Sequence, residues 1–109
     1  MEFHKAKQVV IITEAVIADS VIELITRLGA PGYTLQGVTG KGERGVRAGT
    51  GFSNIYKNMR VEVITNEKVA RAIAEAVAQE FFDNYAGIVY LHEVEVIRAA
   101  KYGLLPSNA

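Results

Sequence analysis

Cysteine is absent from the 109 residues, which excludes disulfides and thiolate-ligated metal sites. Net charge is absent as well, because twelve Lys and Arg balance twelve Asp and Glu. No overall field therefore draws the chain onto nucleic acid or an acidic bilayer, and any recognition of anions has to be local. No apolar run approaches the roughly 18–20 residues that span a bilayer. Met1-Glu2-Phe3-His4-Lys5 lacks the apolar core of a secretion signal, so a cytoplasmic location is expected. The two histidines, His4 and His92, have no second ligand at metal spacing, and no metal site is expected. The Ser and Thr residues lack neighbouring His and Asp that would make one of them a nucleophile, so no catalytic residue is assigned.

What is present is a chain that should fold. Half of its residues are hydrophobic and 22% are charged, and its length suits one domain, residues 1–109. Gln8-Val9-Val10-Ile11-Ile12-Thr13 is short, apolar and β-branched, which predicts a strand. Between Ala15 and Leu28, the residues Ile17, Val21, Leu24, Ile25 and Leu28 gather on one helical face. Gly29-Ala30-Pro31-Gly32 ends that helix, since glycine takes the left-handed cap and proline cannot continue the ladder. Tyr33 to Val38 then reads as a second strand. Met59 to Thr65 alternates as a third, and Glu67 to Tyr85 carries Ala70, Ile73, Ala74, Val77 and Phe81 at helical spacing behind Asn66 as N-cap. Ile88 to Ile97 is the last strand, and the tail 99–109 has little to bury.

A shift of fifty-two positions pairs Ile12-Thr13 with Ile64-Thr65, Ala18 with Ala70 and Tyr33 with Tyr85. Strand, helix, strand given twice predicts an α+β, ferredoxin-like βαββαβ fold: a four-stranded antiparallel sheet with two helices on one face. The first strand is nonetheless apolar on both sides, with Val9 and Ile11 on one and Val10 and Ile12 on the other. A second subunit is the simplest cover for the face the helices leave, so an oligomer is expected.

Between the second and third strands lies a glycine-rich stretch, Gly40 to Ser53, with glycine at 40, 42, 45, 49 and 51, expected to be a long exposed loop without secondary structure. Within it Lys41, Arg44 and Arg47 alternate with Gly40, Gly42 and Gly45. Glycine lets backbone N–H groups approach an anion, Arg grips two phosphate oxygens and Lys acts as a point charge, so the loop suits a phosphorylated ligand. It is neither a Walker A loop nor a dinucleotide fingerprint, and a solvated loop with scattered charge is the competing reading.

Gly29-Ala30-Pro31-Gly32-Tyr33-Thr34, the Gly40–Arg47 stretch, Asn58 with Glu62, and Asp83-Asn84-Tyr85-Ala86-Gly87-Ile88-Val89-Tyr90 together resemble the PII-like carbon-sensing proteins of cyanobacteria. These are the SbtB type, which regulate a sodium-dependent bicarbonate transporter. The resemblance runs from Lys7 to Val96 and implies a homotrimer with an adenine nucleotide (cyclic AMP, AMP, ADP or ATP) as effector in the clefts between subunits, and no further cofactor. It implies nucleotide contacts from Gly40, Lys41, Gly42, Arg44 and Arg47 at the phosphates, Asn58 at the loop base, and Gly87, Ile88 and Val89 beside the adenine and ribose. Tyr33 and Thr34 belong to the same implied set.

The segment 42–53 would be the mobile T-loop, presenting Glu43, Gly45, Val46 and Phe52 to the transporter. The protein would then be reversibly peripheral at the cytoplasmic face of the inner (plasma) membrane. Some members of that family close a C-terminal hairpin with two cysteines; this chain has none, so redox control does not carry over. The alternatives are a carboxysome-associated PII-like sensor of bicarbonate and adenine nucleotide, and a slow nucleotide hydrolase. An acylphosphatase would need a glycine-rich arginine loop after the first strand, where Glu14-Ala15-Val16-Ile17 stands. RNA binding would need an aromatic pair on the central strands, which is missing.

Overall fold

The computed structural model describes residues 1–39, 41–42, 45–46 and 57–104, with only the backbone described at 41–42 and 45–46. Strand β1 (His4–Glu14) leads through a 3-10 turn (Ala15–Ile17) into helix α1 (Ala18–Arg27), followed by β2 (Thr34–Val38). Two short strands, β3 (Lys41–Gly42) and β4 (Gly45–Val46), precede β5 (Asn58–Thr65), α2 (Glu67–Phe81) and β6 (Gly87–Val96). The main sheet runs β2-β5-β1-β6, antiparallel throughout. This is the βαββαβ ferredoxin-like order that the repeated strand-helix-strand plan predicts.

Strand β1 is central because it pairs on both sides, Lys7–Glu14 with β5 and His4–Thr13 with β6. It is longer than its apolar core suggests, since the ladder needs backbone partners rather than apolar side chains. On the helix side Val9 and Ile11 lie opposite Val63, Val61, Leu91 and Val89. Val21, Leu24 and Ile25 of α1 and Ala70, Ile73, Val77 and Phe81 of α2 close over them as one core. Full burial of a side chain such as Ile11 stabilises by about 1.5–3 kcal/mol.

The helix ends obey local rules. Gly29 takes φ +106°, Ala30 N–H donates to the Ile25 carbonyl at 3.0 Å, and Gly29 N–H donates to Thr26 at 3.1 Å. That pair of bonds is a Schellman cap, and it turns the chain toward β2. Asn66 caps α2, its side-chain oxygen accepting from Val69 N–H at 2.8 Å. Helix α2 stops at Phe81 rather than Tyr85. Asn84 and Tyr85 N–H both turn back to the Phe81 carbonyl, as the turn-forming Asp83-Asn84 pair favours.

One further expectation needs correction. The Gly40–Ser53 stretch is not structureless throughout: Lys41 pairs with Val46 and Gly42 with Gly45. Two-residue strands have no room for the alternation by which a strand is read, so this ladder left no pattern in the sequence. The described part of the tail buries little, as expected, yet polar groups anchor it. Ala100–Tyr102 forms a 3-10 turn, Asn66 Nδ2 donates to the Gly103 carbonyl at 2.9 Å, and Thr65 Oγ1 reaches the Tyr102 carbonyl at 3.5 Å. Polar groups rather than apolar burial hold it.

Candidate functional site

The strand register assigns Thr34, Gln36, Asn58, Arg60, Glu62, Ile64, Gln8, Val10, Ile12, Ile88, Tyr90 and His92 to the sheet face opposite the helices. Val10 is fully buried on that face even in the single chain. Its cross-strand neighbours are Glu62 and Tyr90, and polar side chains close around it. Arg60 Nη1 donates to Glu62 Oε2 at 2.7 Å and to Gln36 Oε1 at 3.2 Å. The hydrogen bond to Glu62 raises the Arg60 pKa above its ordinary value; burial opposes this, and the Glu62 charge and a hydrogen bond with Tyr90 add to it. Arg60 is thus a cation tying β2 to β5 on this face. Ile88 and Tyr90 stay 55% and 41% exposed.

At the β2 edge, Pro31, Gly32, Tyr33, Thr34, Glu62, Ile64, Lys101 and Tyr102 line a cleft of about 270 Å³. It offers a carboxylate, an ammonium group, two phenols and an aliphatic wall. Its shape depends on the anchored tail, which contributes Lys101 and Tyr102. Tyr33 and Thr34 were legible in the sequence. Glu62 stood with Asn58 among the residues that carry the family resemblance, with no ligand role assigned, and Ile64, Lys101 and Tyr102 carried no signal, because the contact of tail with β5 is purely tertiary.

At the opposite edge lies a second group. Gly87, Ile88 and Val89 open β6 opposite Thr13, Ile12 and Ile11. Gly87 is demanded by packing: a Cβ there would lie 2.5 Å from the Phe82 ring and 2.9 Å from Thr13 Oγ1. Ile88 is exposed, whereas Val89 packs against the core and leaves only its backbone for a ligand. Asn58 begins β5 opposite Val38 and Glu14, at the same end of the sheet as Gly87. The short β3-β4 ladder carries Lys41, Gly42, Gly45 and Val46. Gly40, Glu43, Arg44, Arg47 and Phe52 lie outside the described residues. Among the described residues no three His, Cys, Asp or Glu side chains gather as a metal site. No helix there is long and apolar enough to cross a membrane.

The chain therefore carries two candidate half-sites on opposite edges of one sheet: the Tyr33–Thr34 cleft beside β2, and the Gly87 turn beside β6. Neither edge can fold back to meet the other. The strand order and the two helices on one face define the ferredoxin-like class of fold.

The nitrogen regulatory protein P-II family model matches residues 6–101, and the chain belongs to that family. It is similar to a PII-like signalling protein of Thermus thermophilus, with 33% identity over 94% of this chain and 99% of that one, at a TM-score of 0.78. It is also similar to CPII of Thiomonas intermedia, described as a nitrogen regulatory PII-like protein. The CPII structure bound to ADP and bicarbonate is 26% identical over 93% of this chain and 97% of that one, at a TM-score of 0.83. A second CPII structure, bound to ADP, AMP and bicarbonate, gives 27% identity, 94% and 97% coverage and a TM-score of 0.83.

Proposed function

We propose that this PII-like signalling protein is a homotrimeric sensor that binds an adenine nucleotide between subunits and passes its occupancy to a partner through the Gly42–Ser53 loop. The observation that carries this reading is the separation of the two half-sites. A heterologous contact joins one surface of a subunit to a different surface of the next, and in a closed ring every β2 edge meets a neighbour's β6 edge. The nucleotide then lies between the Tyr33–Thr34 cleft of one subunit and the Gly87 turn of another, with Lys41, Arg44 and Arg47 taking the phosphates. CPII, alike over nearly its whole length, holds ADP and AMP.

Binding acts by selection: a ligand that contacts one arrangement of the loop better than others shifts the population toward it. The partner in this reading is the sodium-dependent bicarbonate transporter at the cytoplasmic face of the inner membrane. A second reading, a carboxysome-associated sensor of bicarbonate and adenine nucleotide, is favoured by the bicarbonate in the CPII structures. Neither reading is enzymatic; the ligand is returned unaltered.

Calorimetric titration with ADP, AMP and cyclic AMP tests the sensor. Arg47→Ala should weaken nucleotide binding about 10- to 100-fold, the worth of a charged bidentate contact, with the oligomer intact by light scattering. Equal affinities in the two proteins would refute the loop assignment. Co-purification with the transporter from membranes, gained or lost with nucleotide, supports the first partner reading; a shift of ADP affinity by bicarbonate supports the second. Steady phosphate release from ATP would instead make the protein a hydrolase.

A further inference from the structure

The turn before β6 is held by two side chains that the nucleotide reading does not use. Thr13 Oγ1 donates to the Ala86 carbonyl at 2.6 Å, and Glu14 Oε2 accepts from Ala86 N–H at 2.8 Å. Both backbone groups of one residue are thus bound by adjacent residues more than seventy positions away in the sequence. The next residue in each segment extends the arrangement. Ala15 N–H donates to the Lys57 carbonyl at 2.8 Å, which ties the same strand end to the base of the glycine-rich loop. Glu14 itself lies opposite Asn58 in the ladder. Gly87 is pressed against Thr13 and Phe82 on its inner side and exposed on the other.

We propose that Glu14, with Thr13, is a positioning residue for nucleotide binding, fixing the Ala86–Gly87 backbone against the loop base so that both ligand-facing segments are set before the nucleotide arrives. The inference rests on adenine-nucleotide binding. Its physical content is preorganisation: a turn already ordered loses less conformational freedom when the ligand binds. Toward the turn the carboxylate acts as a hydrogen-bond acceptor, taking the Ala86 N–H. Glutamine keeps an acceptor oxygen and loses the charge, which separates the two contributions.

The test is ADP titration of the full chain beside thermal melts of each variant. Glu14→Ala should bind ADP about tenfold more weakly, and Glu14→Gln, which keeps the acceptor oxygen, should bind more tightly than Glu14→Ala. Thr13→Val, which keeps the volume and removes the donor, should weaken ADP binding in the same direction and serves where Glu14→Ala does not fold. A lowered melting temperature with unchanged ADP affinity in Glu14→Ala or Thr13→Val would overturn the proposal and leave a merely structural clamp. A loss in Glu14→Gln as large as in Glu14→Ala would overturn it too, because the acceptor oxygen would then not be what positions the turn. Absence of ADP binding by the wild-type chain overturns the nucleotide reading and this inference together, whereas unaltered binding by the variants overturns this inference alone.

Discussion

On the helix-covered face of the sheet Val9, Ile11 and Val61 are fully buried, whereas on the other face Ile88 and Tyr90 remain 55% and 41% exposed, although the same strands supply both. The covered face is completed within the chain by Val21, Ile25, Ile73 and Val77. The open face is completed only at its centre, where Val10 is shut in among Arg60, Glu62 and Tyr90. The contrast shows two uses of apolar surface. One face drives folding, and the other has a buried middle and exposed edges, the surface that the proposed trimer would cover. The Arg60–Glu62 ion pair, with Gln36 bonded to the same guanidinium, lies on the face that carries that buried middle.

The comparison can be broken most forcefully from the covered side. Ile11→Ala should destabilise the folded chain by about 2–5 kcal/mol, through lost transfer energy and an unfilled cavity, read from urea or thermal unfolding. A loss below about 1 kcal/mol would mean that the core rearranges around the gap. The neighbouring substitution on the other face should behave differently. Ile12→Glu, one position along the strand, leaves its carboxylate within reach of water in a lone chain but strands it at a subunit contact. It should leave secondary structure unchanged and shift the mass seen by light scattering from trimer to single chain, since an unpaired buried charge is not tolerated. A persisting trimer would show that the open face is not the interface. The smallest effect is expected from Arg60→Met, which removes the cation from Glu62 at a site about a quarter exposed. A loss of about 1 kcal/mol is expected, and a larger drop at low salt than at high salt would locate it in the ion pair.

The fold was legible because its signals are local and periodic. Alternation in Met59–Thr65, the stepped apolar residues of α1 and α2, Gly29 at a left-handed cap and Asn66 at an N-cap each report their own conformation. Half of the candidate site was legible as well, since Tyr33, Thr34, Asn58 and Gly87 stand in a recognisable order. The other half was not. Ile64, Lys101 and Tyr102 line the cleft only because the tail returns to β5. The clamp of Thr13 and Glu14 on Ala86 joins residues that no spacing rule connects. The repeat did hint at one thing: Thr13 and Thr65, its paired positions, are both buried threonines, 2% and 1% exposed, each donating to a distant carbonyl.

By itself, the order of residues determined the elements, their sequence and the two-faced character of β1, because side-chain period and backbone preference act over a few neighbours. Which edge carries the cleft, how the tail closes it and which side chains hold the Gly87 turn were decided only in three dimensions. Those contacts depend on the register of strands far apart in the chain, and hydrogen bonds across such distances leave no periodic trace.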